Sequence, residues 1–289
     1  MKIIELLKNK LNKKDLDKIP RSFDVVGNIL IFNKPFSLGK KKEQILGETI
    51  LKNFHNIKTI CIKTGKYSGK YRTPKLKIMY GEKTKETLHK ENFCNFKLDV
   101  EKCYFSTRSG TERLRIVNII NKDKGKNKKV LVMFSGIGAF PIEIKKLTKK
   151  GKISDVYGVE INPVAHKYAL ENLKLNKLSE KDVKLIKKDV RKIRLPKSPN
   201  PKFDYILMPL PKEAEKFLDV AFKYSKKGTK IFLYLFLSES DYKKTKEKVE
   251  IKYNRGSIVT KHKIKVVSFT KAGQYAKDIY RVCVELKIY

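Results

Sequence analysis

The sequence predicts an α/β protein: a doubly wound, mostly parallel sheet preceded by a smaller α+β domain. Three observations carry this. From about residue 129 onward, short apolar runs alternate regularly with stretches of helical periodicity, the pattern of strands joined by crossover helices. The chain then closes on two strand runs with no helix between them, which predicts an antiparallel pair at one edge of the sheet. Ahead of residue 110 the strand runs are short and only one stretch reads as helical.

Taken in order, residues 1–17 are a Lys-rich amphipathic segment, read as a basic N-terminal segment with a short helix. Residues 18–110 carry the strand runs "DVVGNILIF", "IKTICIKT", "LKIMYG" and "NFKLDV" and one helical stretch near 42–54, a small α+β domain. The second domain, 111–289, opens on a helical stretch that ends in the polar turn "NKDKGKNKK". It continues as strand 129–134, helix 138–149, strand 154–160, helix 163–176 and strand 183–187. A Pro-rich loop, "RLPKSPNPK", leads to strand 203–208, helix 212–225, strand 229–236 and helix 239–248. Of the closing strands, about 257–269 and 279–288, the second alternates, so that Val282, Val284, Leu286 and Ile288 share one face.

Composition narrows the function. The 289 residues hold 68 Lys and Arg against 30 Asp and Glu, a formal net charge of +38. A field of that size favours a polyanionic partner, nucleic acid before a membrane surface. Only nine of the basic residues are Arg, so part of the Lys excess is also consistent with a compositional bias or with life at high temperature. The four cysteines show no CxxC spacing, which points away from a zinc site or a disulfide framework. "MKIIELL" is too short for a secretion signal and "IFLYLFL" too short to span a bilayer, so a cytoplasmic, monomeric protein with no metal and no membrane association is expected.

The chemistry starts at "MFSGIGAF", Met133–Phe140, between a strand and a helix. Gly136 and Gly138 lack Cβ atoms, so a ligand can lie against backbone N–H groups at the helix start. Pro141 stands where a third glycine of a dinucleotide fingerprint would be. Glu160 ends the second strand, where a carboxylate accepts both hydroxyls of a ribose, and Asp189 follows the third, within reach of an adenine amine. NAD and S-adenosylmethionine both fit these three positions. The fourth strand, "DYILMPLPKEAEKFL", decides between them by placing a Pro-rich loop where methyltransferases hold a target base, and the closing strand pair also favours a methyltransferase-type sheet.

The stretches "IPRSFDVVGNILIF", "GKYRTPKLKIMYG", "KLDVEKCYFSTRSGTERLRI", "MFSGIGAFPIEI", "EINPVAHKYALENLKLNK" and "MPLPKEAEKFLDVA" are jointly specific. Over roughly residues 18–289 the chain resembles the archaeal and eukaryotic tRNA (guanine-37-N1)-methyltransferases. The resemblance implies a Rossmann-like class I methyltransferase sheet behind a small RNA-contacting domain, with S-adenosylmethionine as cofactor and the anticodon stem-loop of tRNA as partner. It implies cofactor contacts at Phe134, Gly136, Gly138, Glu160, Ile161, Asp189 and Val190. N1 methylation needs a base near N1 and a cation on O6, and the resemblance assigns these to Glu112 of "TERLR" and Arg72 of "KYRTPK". Tyr104 and Arg108 would hold the target nucleotide, with Pro209, Leu210 and Pro211 against the base. Four of the nine arginines, Arg72, Arg108, Arg113 and Arg115, fall between residues 72 and 115, where a planar fork rather than a point charge is called for. Arg113 and Arg115 also suit helix pairing, and Phe105 suits either base stacking or the core. The four histidines are scattered and receive no catalytic role.

Sibling enzymes that attach an aminocarboxypropyl group in wybutosine synthesis share the sheet but typically lack the Arg of "YFSTR" and the "LP" of the fourth-strand loop, and this chain keeps both. It departs from the family at Val132, usually acidic, and at Pro209, usually Asn. The family's additional N-terminal domain is expected to be missing. The alternatives are aminocarboxypropyl transfer or a second methylation in wybutosine-type modification, and an RNA-binding homologue with weak catalysis.

Overall fold

A computed structural model of the chain describes residues 3–65, 69–195, 201–255 and 263–289. They form two compact units, Met1–Thr107 and Arg108–Tyr289. The first unit runs α1 (Ile3–Leu7), α2 (Lys13–Leu16), β1 (Phe23–Val26), β2 (Ile29–Phe32), α3 (Lys40–Asn53), β3 (Thr59–Lys63), β4 (Leu76–Gly81), β5 (Glu86–Glu91) and β6 (Cys94–Asp99). Strands β1 to β4 form one sheet in chain order; β2 and β3 are parallel, joined by the α3 crossover, and the other pairs are antiparallel. The start of α3 is set by Glu43, whose Oε1 accepts the Leu38 N–H and the Ser37 hydroxyl, each at 3.2 Å. The first residues pack on this sheet as an amphipathic segment. Ile3, Leu7 and Leu11 are buried with Leu30, Phe32, Leu46 and Ile50, and the lysines between them face outward.

Strands β5 and β6 pair as a separate hairpin. The sequence gives no warning of β5, because "ETLHKE" is polar and its inward contacts are hydrogen bonds. Thr87 Oγ1 accepts the Asn28 N–H at 3.0 Å and His89 Nδ1 accepts the Gly27 N–H at 3.2 Å. Gly27 has φ 55°, and a Cβ there would lie 2.2 Å from Thr87 Oγ1, so only glycine lets the β1–β2 turn reach the hairpin.

The second unit runs α4 (Gly110–Lys122), β7 (Lys128–Met133), α5 (Ala139–Leu147), β8 (Ile153–Glu160), α6 (Pro163–Leu175), β9 (Val183–Lys187), β10 (Phe203–Met208), α7 (Leu218–Lys223), β11 (Ser225–Leu237), α8 (Asp241–Arg255), β12 (Ile264–Ala276) and β13 (Ile279–Ile288). Its sheet has the order β12-β13-β11-β10-β7-β8-β9. Strands β7 to β11 are parallel, and β13 is antiparallel to both β11 and β12. From β7 the chain winds to β8 and β9 on one side, then to β10 and β11 on the other. The carboxyl ends of β7 and β10 therefore flank the point where strand order reverses, the crevice in which open α/β sheets bind ligands. Leu131, Ile206, Leu233, Val284 and Leu286 are among the buried residues that hold the sheet to its cover.

Two elements differ from expectation. The helix expected over 212–225 is a 3-10 turn, Ala214–Phe217, followed by α7 alone, because β11 already begins at Ser225. Its first half, "SKKGT", is too polar to read as a strand, and Thr229 ties it to β10 by donating to the Phe203 carbonyl at 2.6 Å. The first closing strand is Ile264–Ala276 rather than 257–269. The earlier part of that expectation, with His262, and residues 196–200 of the Pro-rich loop lie outside the described residues. Among the described residues no helix is long and apolar enough to cross a membrane.

Candidate active site

Strand β7 delivers the loop 134–138 to the carboxyl edge between β8 and β10. Three of its residues are left-handed: Phe134 (φ 61°), Gly136 (57°) and Gly138 (86°). For the glycines this is free of strain; for Phe134 it is not. Glu160, the last residue of β8, fixes the loop. Its Oε2 accepts the Gly136 N–H at 2.7 Å and its Oε1 the Asn162 N–H at 2.7 Å. Burial raises the Glu160 carboxyl above its ordinary value, and the backbone N–H groups of Asn162, Gly136 and Ile161 draw it back only in part. A carboxylate in that balance gains from further donors, and the two hydroxyls of a ribose are such donors. The residues present thus fit a nucleoside cofactor.

The two glycines serve different purposes. A Cβ on Gly138 would lie 3.1 Å from Ile142 Cδ1 and 3.2 Å from Ala169 Cβ, so its glycine also lets α5 pack closely on α6. In the same loop the Ser135 hydroxyl is buried with no hydrogen-bond partner among the described residues.

At the end of β9, Asp189 Oδ1 accepts the Arg191 N–H at 2.9 Å and so caps the 3-10 turn Val190–Lys192, with Val190 buried. The Arg191 guanidinium lies over the Phe217 ring at 3.9 Å, and Phe217 meets Phe134 edge-on at 4.9 Å. This stack links the turns that follow β9, β10 and β7. After β10, Pro209–Pro211 is held in a tight turn: the Leu210 N–H donates to the Met208 carbonyl at 2.9 Å, and the Ala214 N–H donates to the Leu210 carbonyl at 2.9 Å.

Glu112 lies in the first turn of α4 and is buried. Its Oε1 accepts from the Tyr234 hydroxyl and from Arg115 Nη2, both at 2.7 Å, and its Oε2 accepts from Arg115 Nε at 2.7 Å. Burial alone would lower the Arg115 pKa, but its bonds to Glu112 outweigh this and hold it above its ordinary value. Arg113 pairs with the fully buried Glu143 at 3.0 Å, joining α4 to α5. Arg108 is exposed at the start of this unit, and its carbonyl accepts from Arg281. Arg72 and Tyr104 belong to the first unit. Arg72 is half-buried with φ 53°, and Tyr104 is exposed, whereas Phe105 packs against His89 and Phe96.

A family model described as the TRM5/TYW2 methyltransferase domain matches residues 87–266. The chain belongs to the TRM5/TYW2 methyltransferase family. A second model, the TYW2 N-terminal domain, matches residues 3–84. A tRNA (guanine(37)-N(1))-methyltransferase of Pyrococcus abyssi is 36% identical over 93% of this chain and 76% of its own length. A tRNA(Phe) (4-demethylwyosine(37)-C(7)) aminocarboxypropyltransferase of Methanocaldococcus jannaschii is 33% identical over 92% of this chain and 97% of its own length. Among solved structures, the complex of aTrm5 with tRNALeu matches all of this chain and 78% of that one, with a TM-score of 0.81 at 29% identity. The TRM5/TYW2 family thus spans two kinds of group transfer, and this chain resembles members of both.

Within this TRM5/TYW2 chain, the structure joins Gly136 directly to Glu160 and brings Asp189, Val190 and the Pro209–Pro211 turn to the same sheet edge. Sequence reasoning missed Phe217, Arg191 and Tyr234. Arg191 carried a signal, as an arginine in a chain that otherwise uses lysine; Phe217 and Tyr234 look like ordinary core residues until their partners are seen.

Proposed function

We propose that the chain transfers the methyl group of S-adenosylmethionine to N1 of guanosine 37 in tRNA, beside the anticodon. The observation that carries this reading is the tight Leu210–Pro211 turn at the end of β10, next to the loop that Glu160 anchors. By the family resemblance, the aminocarboxypropyl enzymes typically lack both this Leu-Pro and the arginine of "YFSTR", Arg108, and this chain keeps both. Glu160 would take the ribose hydroxyls and Asp189 the adenine amine, with Phe134, Gly136, Gly138, Ile161 and Val190 around them. The bound cofactor supplies an electrophilic methyl on sulfonium.

The remaining chemistry falls to side chains. Glu112 Oε2, which accepts from Arg115 Nε alone among the described residues, is the atom to accept the N1 proton, while Arg115 and Tyr234 fix the carboxylate's orientation. Arg72 would neutralise charge developing on O6. Tyr104 and Arg108 would hold the extruded nucleotide, since a base must leave its stack to be methylated. The +38 charge suits tRNA, which a monomer would meet in the cytoplasm.

Labelled methyl incorporation into unmodified transcripts tests the reading. A transcript with guanosine at position 37 should be labelled, and the same transcript with adenosine there should not. A second reading is aminocarboxypropyl transfer to a tricyclic guanine derivative. It is favoured by the TYW2 N-terminal domain match and by Pro209, which stands where N1-methylating members have Asn.

A further inference from the structure

Strands β12 and β13 run past the cofactor edge of the sheet and close in the turn Lys277–Asp278. We infer that this hairpin is a second RNA-contacting element, on which Tyr275 stacks an unpaired nucleobase of the tRNA anticodon loop. The inference rests on the tRNA reading above and adds a contact surface to it.

The surface is built from the bend of the hairpin outward. Two register shifts, between Lys271 and Gln274 and between Gln274 and Ala276, place extra residues on β12 and bend its end. The bend is fixed by Arg281, whose guanidinium donates through Nε to the Ala272 carbonyl at 3.2 Å and through Nη2 to the Arg108 carbonyl at 3.3 Å. Gly273 (φ 132°) makes room for it, because a Cβ there would lie 3.1 Å from Arg281 Nη2. The planar fork of a guanidinium presents its donors in two fixed directions at once, which suits an arginine at 281. Through this bond the hairpin is moored to Arg108, the residue proposed to hold the target nucleotide.

The aromatic face comes next. Tyr275 stacks on Phe236 with ring centroids 3.9 Å apart and planes 28° from parallel, yet it remains 56% exposed. A tyrosine held flat by a second ring, with its other face in water, offers a base a platform that loses little entropy on binding. Lys277 is exposed at the turn and suits a phosphate, whereas Lys271 is already paired with Glu239. A single aromatic face is too small for a stable protein interface. An unpaired base with its phosphate matches both the ring and the lysine.

The test uses the full chain and an unmodified tRNA transcript carrying 2-aminopurine at successive anticodon-loop positions. Wild type should quench one of these probes. Tyr275→Ala should abolish that quenching and weaken tRNA binding about tenfold, with Tyr275→Phe restoring both. The salt dependence of affinity should stay unchanged in Tyr275→Ala and fall by about one counterion in Lys277→Ala. Unaltered S-adenosylmethionine binding in each variant controls for folding. If Tyr275→Ala binds tRNA as tightly as wild type and quenches the same probe, the platform is refuted while the tRNA reading stands. If wild type does not bind tRNA at all, both fall.

Discussion

Replacing Glu160 should separate cofactor binding from stability. Its carboxylate accepts the Gly136 and Asn162 N–H groups at 2.7 Å each and is raised by burial despite them. In Glu160→Ala the ribose loses its acceptor and the loop loses its anchor. A hydrogen bond to a charged group contributes about 1.5–3 kcal/mol, so losing one hydroxyl contact alone weakens S-adenosylmethionine binding by about tenfold or more, equivalent to about 1.4 kcal/mol. Losing both would give a hundredfold or greater effect. The pH dependence has opposite signs for folding and binding. Because the folded-state value lies above the ordinary 4.5, ionising Glu160 works against the fold: its contribution to stability is full below 4.5 and is lost as pH rises through the folded value. Cofactor affinity runs the other way, since the diol needs the ionised form, and it should fall as pH drops through that raised value. Thermal unfolding as a function of pH reads the first effect and titration calorimetry the second, with Glu160→Gln expected to bind weakly and without the pH step. A Glu160→Ala protein that binds S-adenosylmethionine like wild type would refute the assignment.

Three further outcomes are expected. Glu143→Gln should remove the carboxylate that pairs with the buried Arg113 and destabilise the protein by about 3–5 kcal/mol, seen in thermal or denaturant unfolding, because the buried guanidinium loses its opposite charge. Glu112→Gln should slow single-turnover methyl transfer by about 10²–10⁴-fold with cofactor and tRNA affinity nearly intact, and its residual rate should rise with pH; a wild-type rate at every pH would place the base elsewhere. Pro209→Asn should speed the same step if the turn after β10 positions the base, and an unchanged rate would show that the residue is indifferent there.

Much of the second unit was legible because its strands are apolar and its helices periodic. The strands Val183–Lys187, Phe203–Met208 and Ile279–Ile288 match their sequence bounds to the residue. What escaped was held by polar contacts. Strand β5 meets the β1–β2 turn through Thr87 and His89 rather than through a hydrophobic face, and the start of β11 is a run of Lys and Gly. At the site, the acids at strand ends could be read from position alone, but the reason for Gly138 could not. Its missing Cβ answers to Ala169, thirty-one residues away in sequence and adjacent only in the folded chain. Likewise Glu112 reads as a solitary acid near a helix start, and the partner that orients it, Tyr234, comes from β11. Charge favoured a polyanionic partner, but it could not say which faces meet it.

The most direct test of the central claim is mass mapping of modified nucleosides in tRNA incubated with the pure protein and labelled S-adenosylmethionine. The account predicts a single added methyl group on N1 of guanosine 37. An aminocarboxypropyl adduct, a methyl group on a tricyclic guanine derivative alone, or cofactor binding with no transfer to any tRNA would contradict it.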